Sequence, residues 1–241
     1  MESGAVASWI RYRQRETRDL RVLGIHGSPR GIKSRTRMLV QWVLAGAEGA
    51  GAETELVDLP ALRIEACTAC ESCSLTGVCV HNDDFSALFS RMIAADGIVL
   101  FSPVCIDNVT GQMKVFIDRL ADAMHYQTLS GKYGCAVTTT FSSGGDDVVS
   151  YLNHVLTYLG IPALEGMSVA VEDDWGAVYD VEREARILGE RLAGAIRTQE
   201  KFPGQERIIA ENRLFFASIV DQNREWRPGE YQDWVRKGWI S

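Results

Sequence analysis

The chain has no long hydrophobic run. Its longest apolar stretches, such as Gly97–Phe101, are strand-sized and far short of the roughly 20 residues that cross a bilayer. No apolar segment accompanies Arg11, Arg13, Arg15 and Arg18 near the start, so no secretory leader is expected. A cytoplasmic protein without membrane attachment is the expectation. Basic charge is also in deficit: the net charge of -7 argues against a general nucleic-acid role. There are four histidines, and none belongs to a recognisable Ser–His–Asp set. Neither G-x-x-x-x-G-K-[ST] nor G-x-G-x-x-G occurs, which removes two common nucleotide-binding loops. Internal repeats and low-complexity tracts are missing too. Six cysteines in 241 residues are too few for a disulfide scaffold.

What remains is an ordinary globular composition, 46% apolar and 24% charged, arranged as alternating strands and helices. Apolar and β-branched runs predict strands over 21–27, 53–59, 97–101, 133–140 and 167–171. Helical spacing predicts helices over 35–47, from Asp83–Asp84 to Ala95, and over 112–124, 147–159 and 181–197. Strands separated by helices in this way predict an α/β fold. Its five-stranded parallel sheet is doubly wound, with helices on both faces. The break at Phe202-Pro203-Gly204 sets off a tail. The expected organisation is an N-terminal arm (1–20), one domain (21–200) and a helical tail (201–241).

The first strand runs into Gly27-Ser28-Pro29-Arg30-Gly31-Ile32-Lys33-Ser34-Arg35-Thr36 and a helix. A strand-to-helix loop points free N–H groups and a positive helix end at one spot, which suits an anion. Ser28, Ser34 and Thr36 add hydroxyls, and Gly27 and Gly31 allow close backbone approach. The plainer alternative is a connecting loop whose hydroxyls cap the helix. Arg30, Lys33, Arg35 and Arg37 are either solvated surface charge or an attraction for a phosphate or an acidic partner.

Four cysteines crowd into Cys67-x2-Cys70-x2-Cys73-x5-Cys79, a 67–79 loop after the second strand. The spacing resembles the C-x2-C-x2-C core of ferredoxin-type [4Fe–4S] binding, with Cys79 as the fourth ligand. Zinc and uncoordinated thiols are the alternatives, though zinc sites more often use two separated pairs. Cys105 and Cys135 stand apart in apolar stretches and read as core, with Cys105 a possible substitute ligand.

After the third strand comes Ser102-Pro103-Val104-Cys105-Ile106-Asp107-Asn108, then Lys114-Val115-Phe116-Ile117-Asp118-Arg119. Together with Gly27-Ser28-Pro29-Arg30, this resembles the flavodoxin-like NADPH-dependent FMN reductase superfamily. The cysteine loop resembles, within it, the iron–sulfur flavoproteins, which pass electrons between a [4Fe–4S] cluster and FMN. The resemblance implies FMN at the carboxyl ends of the strands. Ser28, Arg30, Ser34, Arg35 and Thr36 would hold its phosphate. Pro103, Val104, Cys105, Ile106 and Asn108 would border the isoalloxazine. Thr139, Thr140, Ser142 and Gly144, in the stretch after the fourth strand, would close its other side. Lys114, Asp118 and Arg119 read as helix and scaffold. Cys105 stands where the family usually has an aromatic, and Arg35 where it commonly has Asn.

The implied function is an FMN-dependent electron-transfer oxidoreductase. Its donor would be a ferredoxin-like protein or NAD(P)H, its acceptor a small molecule. No side chain need act as acid or base, because the cofactors carry the chemistry. Two rivals stay open: an NAD(P)H-dependent FMN or quinone reductase without a cluster, and a redox-sensing binding protein that uses the cysteine loop. His26 reads as a core residue, His81 as an exposed loop residue and Asp83–Asp84 as a helix cap. The aromatic tail (Phe215, Phe216, Trp226, Tyr231, Trp234, Trp239) predicts a homo-oligomer through packing on a partner subunit, with folding back on its own chain as the alternative.

Overall fold

The structure, a computed structural model, describes residues 19–34, 36–174 and 176–240. Arg35 and nearly all of the expected N-terminal arm therefore lie outside the described residues. Strands β1 (Leu20–His26), β2 (Ala52–Asp58), β3 (Gly97–Phe101), β4 (Tyr133–Thr140) and β5 (Met167–Ala170) form one sheet in the order β2-β1-β3-β4-β5. All pairs are parallel, and His26 lies opposite both Asp58 and Phe101. After β2 the chain crosses back over β1 to build β3. Its winding direction therefore reverses at the β1/β3 boundary, where such sheets open a crevice at their carboxyl ends.

The helices are α1 (Arg37–Gly49), α2 (Ser72–Thr76), α3 (Phe85–Ala94), α4 (Gly111–Asp118), α5 (Ala121–Tyr126), α6 (Gly145–Tyr158), α7 (Ala177–Asp180), α8 (Glu182–Thr198), α9 (Pro203–Gln222) and α10 (Pro228–Arg236). Strand side chains alternate between faces, and each face has its own core. Leu23, Ile25, Ile98 and Leu100 meet α3, α4 and α6, while Val22, Val99, Phe101 and Val137 meet α1 and α8. Every residue of β3 and β4 is buried, which explains why β3 reads as an unbroken apolar run and β4 shows no polar alternation over Tyr133–Val137. Helices α1 and α8 touch backbone to backbone. A Cβ added at Gly46 would come 1.9 Å from the Arg186 carbonyl oxygen, and one at Gly189 would come 1.8 Å from that of Val43.

Three expectations need correction. The helix expected over 112–124 is two helices, because the chain tightens at Arg119-Leu120. There the Leu120 N–H bonds to the Ile117 carbonyl, three residues back. Cys105 is exposed, whereas Cys135 is buried as expected. The tail folds back on its own chain in part: Phe216, Val220 and Trp234 are buried beside Met124 and Tyr158. Leu214 and Phe215 on α9 stay exposed. Among the described residues no helix is long and apolar enough to cross a membrane.

Candidate functional site

The carboxyl edge of the sheet gathers the loops after β1, β3 and β4, and hydrogen bonds tie them together. Thr110 Oγ1, at the N-cap of α4, donates to the Gly27 carbonyl at 2.5 Å, and the Val104 N–H bonds to the Thr139 carbonyl at 2.8 Å. Gly144, at φ 76°, sits against the β3 loop so closely that a Cβ would come 2.9 Å from Asp107 Oδ1. Thr110 was missed from the sequence, although a threonine opening an apolar helix is an N-cap signal.

In the β1 loop Ser28, Ser34 and Thr36 are buried, while Arg30 and Lys33 are exposed. Ser34 Oγ lies 2.6 Å from Thr36 Oγ1, and the Arg30 N–H approaches Ser28 Oγ at 3.4 Å. Thr36 makes no side-chain cap to α1, so the helix-capping alternative does not describe it. One hydroxyl of the Ser34–Thr36 pair uses its hydrogen on the other, which leaves the second hydrogen for an outside acceptor. The Ser28 hydrogen is likewise not engaged by Arg30. The loop therefore fits an anion such as the FMN phosphate.

His26 lies beneath this loop, fully buried and stacked on Phe101 with ring centroids 5.0 Å apart. Its Nδ1 is 2.7 Å from Asp58 Oδ1, and Arg37 Nε is 3.1 Å from both oxygens of that carboxylate. Burial, with the nearby Arg37 charge, lowers the His26 pKa despite Asp58, which favours the neutral ring; the 2.7 Å contact suits donation to Asp58 from Nδ1.

In the β3 loop Pro103 and Val104 are half-buried, whereas Cys105, Ile106 and Asn108 are exposed. The Cys105 N–H bonds to the Asn108 carbonyl at 2.7 Å, with the reciprocal bond at 3.2 Å. These two bonds close a turn whose central residues, Ile106 and Asp107, have φ of 48° and 54°. A β-branched residue at positive φ is strained, and its side chain is 95% exposed at the tip. Thr139 and Thr140 are buried, Ser142 is exposed and Gly144 half-buried. Among the described residues, the β1, β3 and β4 candidates thus lie on loops joined at one edge of the sheet.

The cysteine loop leaves the same edge from β2. Cys67 and Cys70 are exposed, Cys73 and Cys79 half-buried, and all four are free thiols. Among the described residues, no three His, Cys, Asp or Glu side chains converge closely enough to hold a metal. The donor set nevertheless suits a four-thiolate cluster. The Ser72 N–H, then Thr68, favours the Cys70 thiolate and lowers its pKa; burial, then the charge of Asp122, raises that of Cys73.

The loop has a closed neck. Arg63 N–H donates to Asp84 Oδ2 at 2.7 Å, Glu65 N–H to Asp83 Oδ2 at 2.9 Å, and Asp84 N–H to the Arg63 carbonyl at 3.0 Å. Arg119 completes it: Nη1 reaches the Glu65 carbonyl at 2.8 Å and Asp83 Oδ2 at 2.6 Å. Its Nη2 reaches Asp83 Oδ1 at 3.2 Å and Cys79 Sγ at 3.3 Å. Asp83 does accept the Phe85 N–H, as a cap should, but Asp84 makes no side-chain cap; both carboxylates chiefly close the neck. Arg119 is scaffold, as expected, and the scaffold it serves is the cysteine loop. Nothing local in the sequence joins residues 36 positions apart.

Residues 20–176 match the family model described as NADPH-dependent FMN reductase. An iron–sulfur flavoprotein of Archaeoglobus fulgidus is 33% identical over 224 residues, covering 92% of this chain and 100% of that protein. One of Methanocaldococcus jannaschii is 35% identical over 126 residues, 52% of this chain and 65% of its own length. Among solved structures, a flavone reductase aligns with a TM-score of 0.61 at 21% identity, covering 74% of this chain and 63% of that one. An NAD(P)H:quinone oxidoreductase from Methanothermobacter marburgensis aligns at 0.59 and 17% identity, over 73% of this chain and 96% of its own. At these identities the two structures show the shared fold.

Proposed function

The chain belongs to the iron–sulfur flavoproteins of the NADPH-dependent FMN reductase family and is a flavin-dependent oxidoreductase, and from that premise we propose that it moves electrons between FMN in the β1/β3 crevice and a [4Fe–4S] cluster on the 67–79 loop. One observation carries the reading: the loop with three buried hydroxyls and the loop with four free thiols leave neighbouring strands at the same edge of the sheet. When bound, a flavin supplies hydride and single-electron chemistry and a cluster supplies single-electron chemistry. The chain's own residues bind and orient. Ser28, Ser34 and Thr36 would hold the phosphate, with Arg30 at the loop surface. Pro103, Val104, Cys105, Ile106 and Asn108 would border one side of the ring, and Thr139, Thr140, Ser142 and Gly144 the other. Cys67, Cys70, Cys73 and Cys79 would ligate iron. Arg30 and Lys33, exposed at this edge, suit an anionic donor, either NAD(P)H or an acidic ferredoxin-like protein. Homo-oligomerisation belongs to the same proposal, supported by exposed Leu214 and Phe215.

The deciding experiment is anaerobic reconstitution with iron and sulfide. Equal uptake of the two, with a paramagnetic signal on reduction, is expected. Tetrahedral zinc retained without such a signal overturns the cluster and leaves a simpler flavin reductase.

The phosphate loop has its own test. Replacing Ser34 and Thr36 together by alanine removes both hydroxyls without stranding either one. The pair offers one hydrogen to the phosphate, and a hydrogen bond to a charged group contributes about 1.5–3 kcal/mol, so FMN affinity should fall by roughly ten- to a hundredfold. Calorimetric titration measures this, and unchanged affinity would move the phosphate elsewhere.

A further inference from the structure

The tail helices α9 and α10 lie beyond residue 176, where the FMN reductase match ends. The alignment with the Archaeoglobus protein takes in 92% of the chain and so reaches at least into α9. Helix α10 packs on α5 and on α2, the short helix inside the cysteine loop. It is anchored independently of the cysteines. Trp234 is fully buried and its Nε1 donates to the His125 carbonyl at 3.0 Å, while Lys237 Nζ donates to the Tyr126 carbonyl at 2.6 Å.

At the start of this anchored helix, Arg227 faces two carboxylates. Its Nη1 lies 3.5 Å from Glu230 Oε2, and Glu230, fully buried, lies 3.2 Å from His125 Nδ1 through its other oxygen. A guanidinium beside a buried carboxylate is held in place, because moving it away would leave that charge uncompensated. From this fixed point Nη2 reaches Glu71 Oε2 at 3.3 Å. Glu71 stands between Cys70 and Cys73 at φ 58°, where the chain turns into α2. Arg119 thus holds the two ends of the loop, and Arg227 reaches its middle.

We propose that Arg227 is a positioning residue for the cysteine ligands: seated against buried Glu230, it fixes Glu71 and the backbone between Cys70 and Cys73, so that the C-terminal tail forms part of the cluster-binding apparatus. This rests on the reading of the 67–79 loop as the cluster site.

Glu71→Gln is the decisive variant, because it removes the charge of the ion pair from the exposed side and leaves Arg227 paired with Glu230. Arg227→Gln breaks it from the tail, and Arg227→Lys keeps the charge. Amide hydrogen exchange over residues 66–80 is measured on full-length, iron-free protein, and iron release to a chelator on reconstituted protein. Both should quicken by about two- to fivefold in Glu71→Gln and Arg227→Gln, as expected for a partly exposed ion pair, and Arg227→Lys should recover most of the loss. Exchange around Trp234 should stay unchanged in Glu71→Gln, which separates loop positioning from loss of the tail. Wild-type exchange and iron release in Glu71→Gln would overturn the proposal. If the wild-type chain takes up no cluster, the cluster reading falls, and the exchange comparison still decides whether Arg227 orders the loop.

Discussion

Arg119→Met should destabilise the protein by about 3–5 kcal/mol, the cost of leaving a buried partner charge alone. The side chains of Arg119 and Asp83 are 1% and 0% exposed, so water cannot replace the lost guanidinium. Methionine keeps much of the apolar packing against Phe85, over whose ring the guanidinium lies at 4.6 Å, and so isolates the charge. The effect depends on pH with a definite sign. Burial raises the Asp83 pKa, but hydrogen bonds from Arg119, Glu65 N–H and Phe85 N–H outweigh it, and the net shift is downward. A lowered folded-state pKa gives stability that is full above the unfolded value, about 3.9, and fades as pH falls through the folded one. Without Arg119 the Asp83 pKa rises from its wild-type position, and protonation of Asp83 relieves the variant at a higher pH. The gap between wild type and Arg119→Met should therefore be widest near neutral pH and narrow below about pH 4. Urea unfolding at both pH values measures it. A cost under about 1 kcal/mol, or one that does not change on acidification, would show that the neck is not held this way.

Cys70→Ala should eliminate the cluster signal while FMN remains bound. Each iron of the cube needs a ligand, and the loop holds four cysteines for four irons. Cys70 is exposed, so its replacement opens no cavity, and the loss can be ascribed to the ligand. Substitution by the other cysteines is checked in the same experiment. Cys135 is buried, its thiol pKa pushed up to about 12, and it stays protonated in the core. Cys105 is exposed on the turn assigned to the flavin, and Cys105→Ala should retain the cluster. Reduction of the flavin by a nicotinamide donor should survive in Cys70→Ala, whereas single-electron exchange with a ferredoxin-like partner should collapse. Undiminished iron, sulfide and paramagnetic signal in Cys70→Ala would remove Cys70 from the ligand set.

The amino-acid sequence by itself determined the alternation of five strands with helices, because the period of apolar residues is a property of neighbours in the chain. It also marked the hydroxyl loop at Ser28–Thr36 and the cysteine run, since both chemistries sit on short continuous segments. Strand order was not legible there. The placement of β1 between β2 and β3, which reverses the winding, depends on pairings between distant strands. Only the tertiary structure showed that Asp83 and Arg119 close the neck of the cysteine loop, that Thr110 ties the β3 loop to Gly27, and that Arg227 reaches Glu71 across 156 positions. The same holds for Cys105, which an apolar neighbourhood marks as core and a strained two-residue turn brings to the surface. Periodicity reports which face of an element is apolar. Which charges meet across the fold is settled by burial, since a carboxylate taken out of water must find its cation wherever the packed chain brings one.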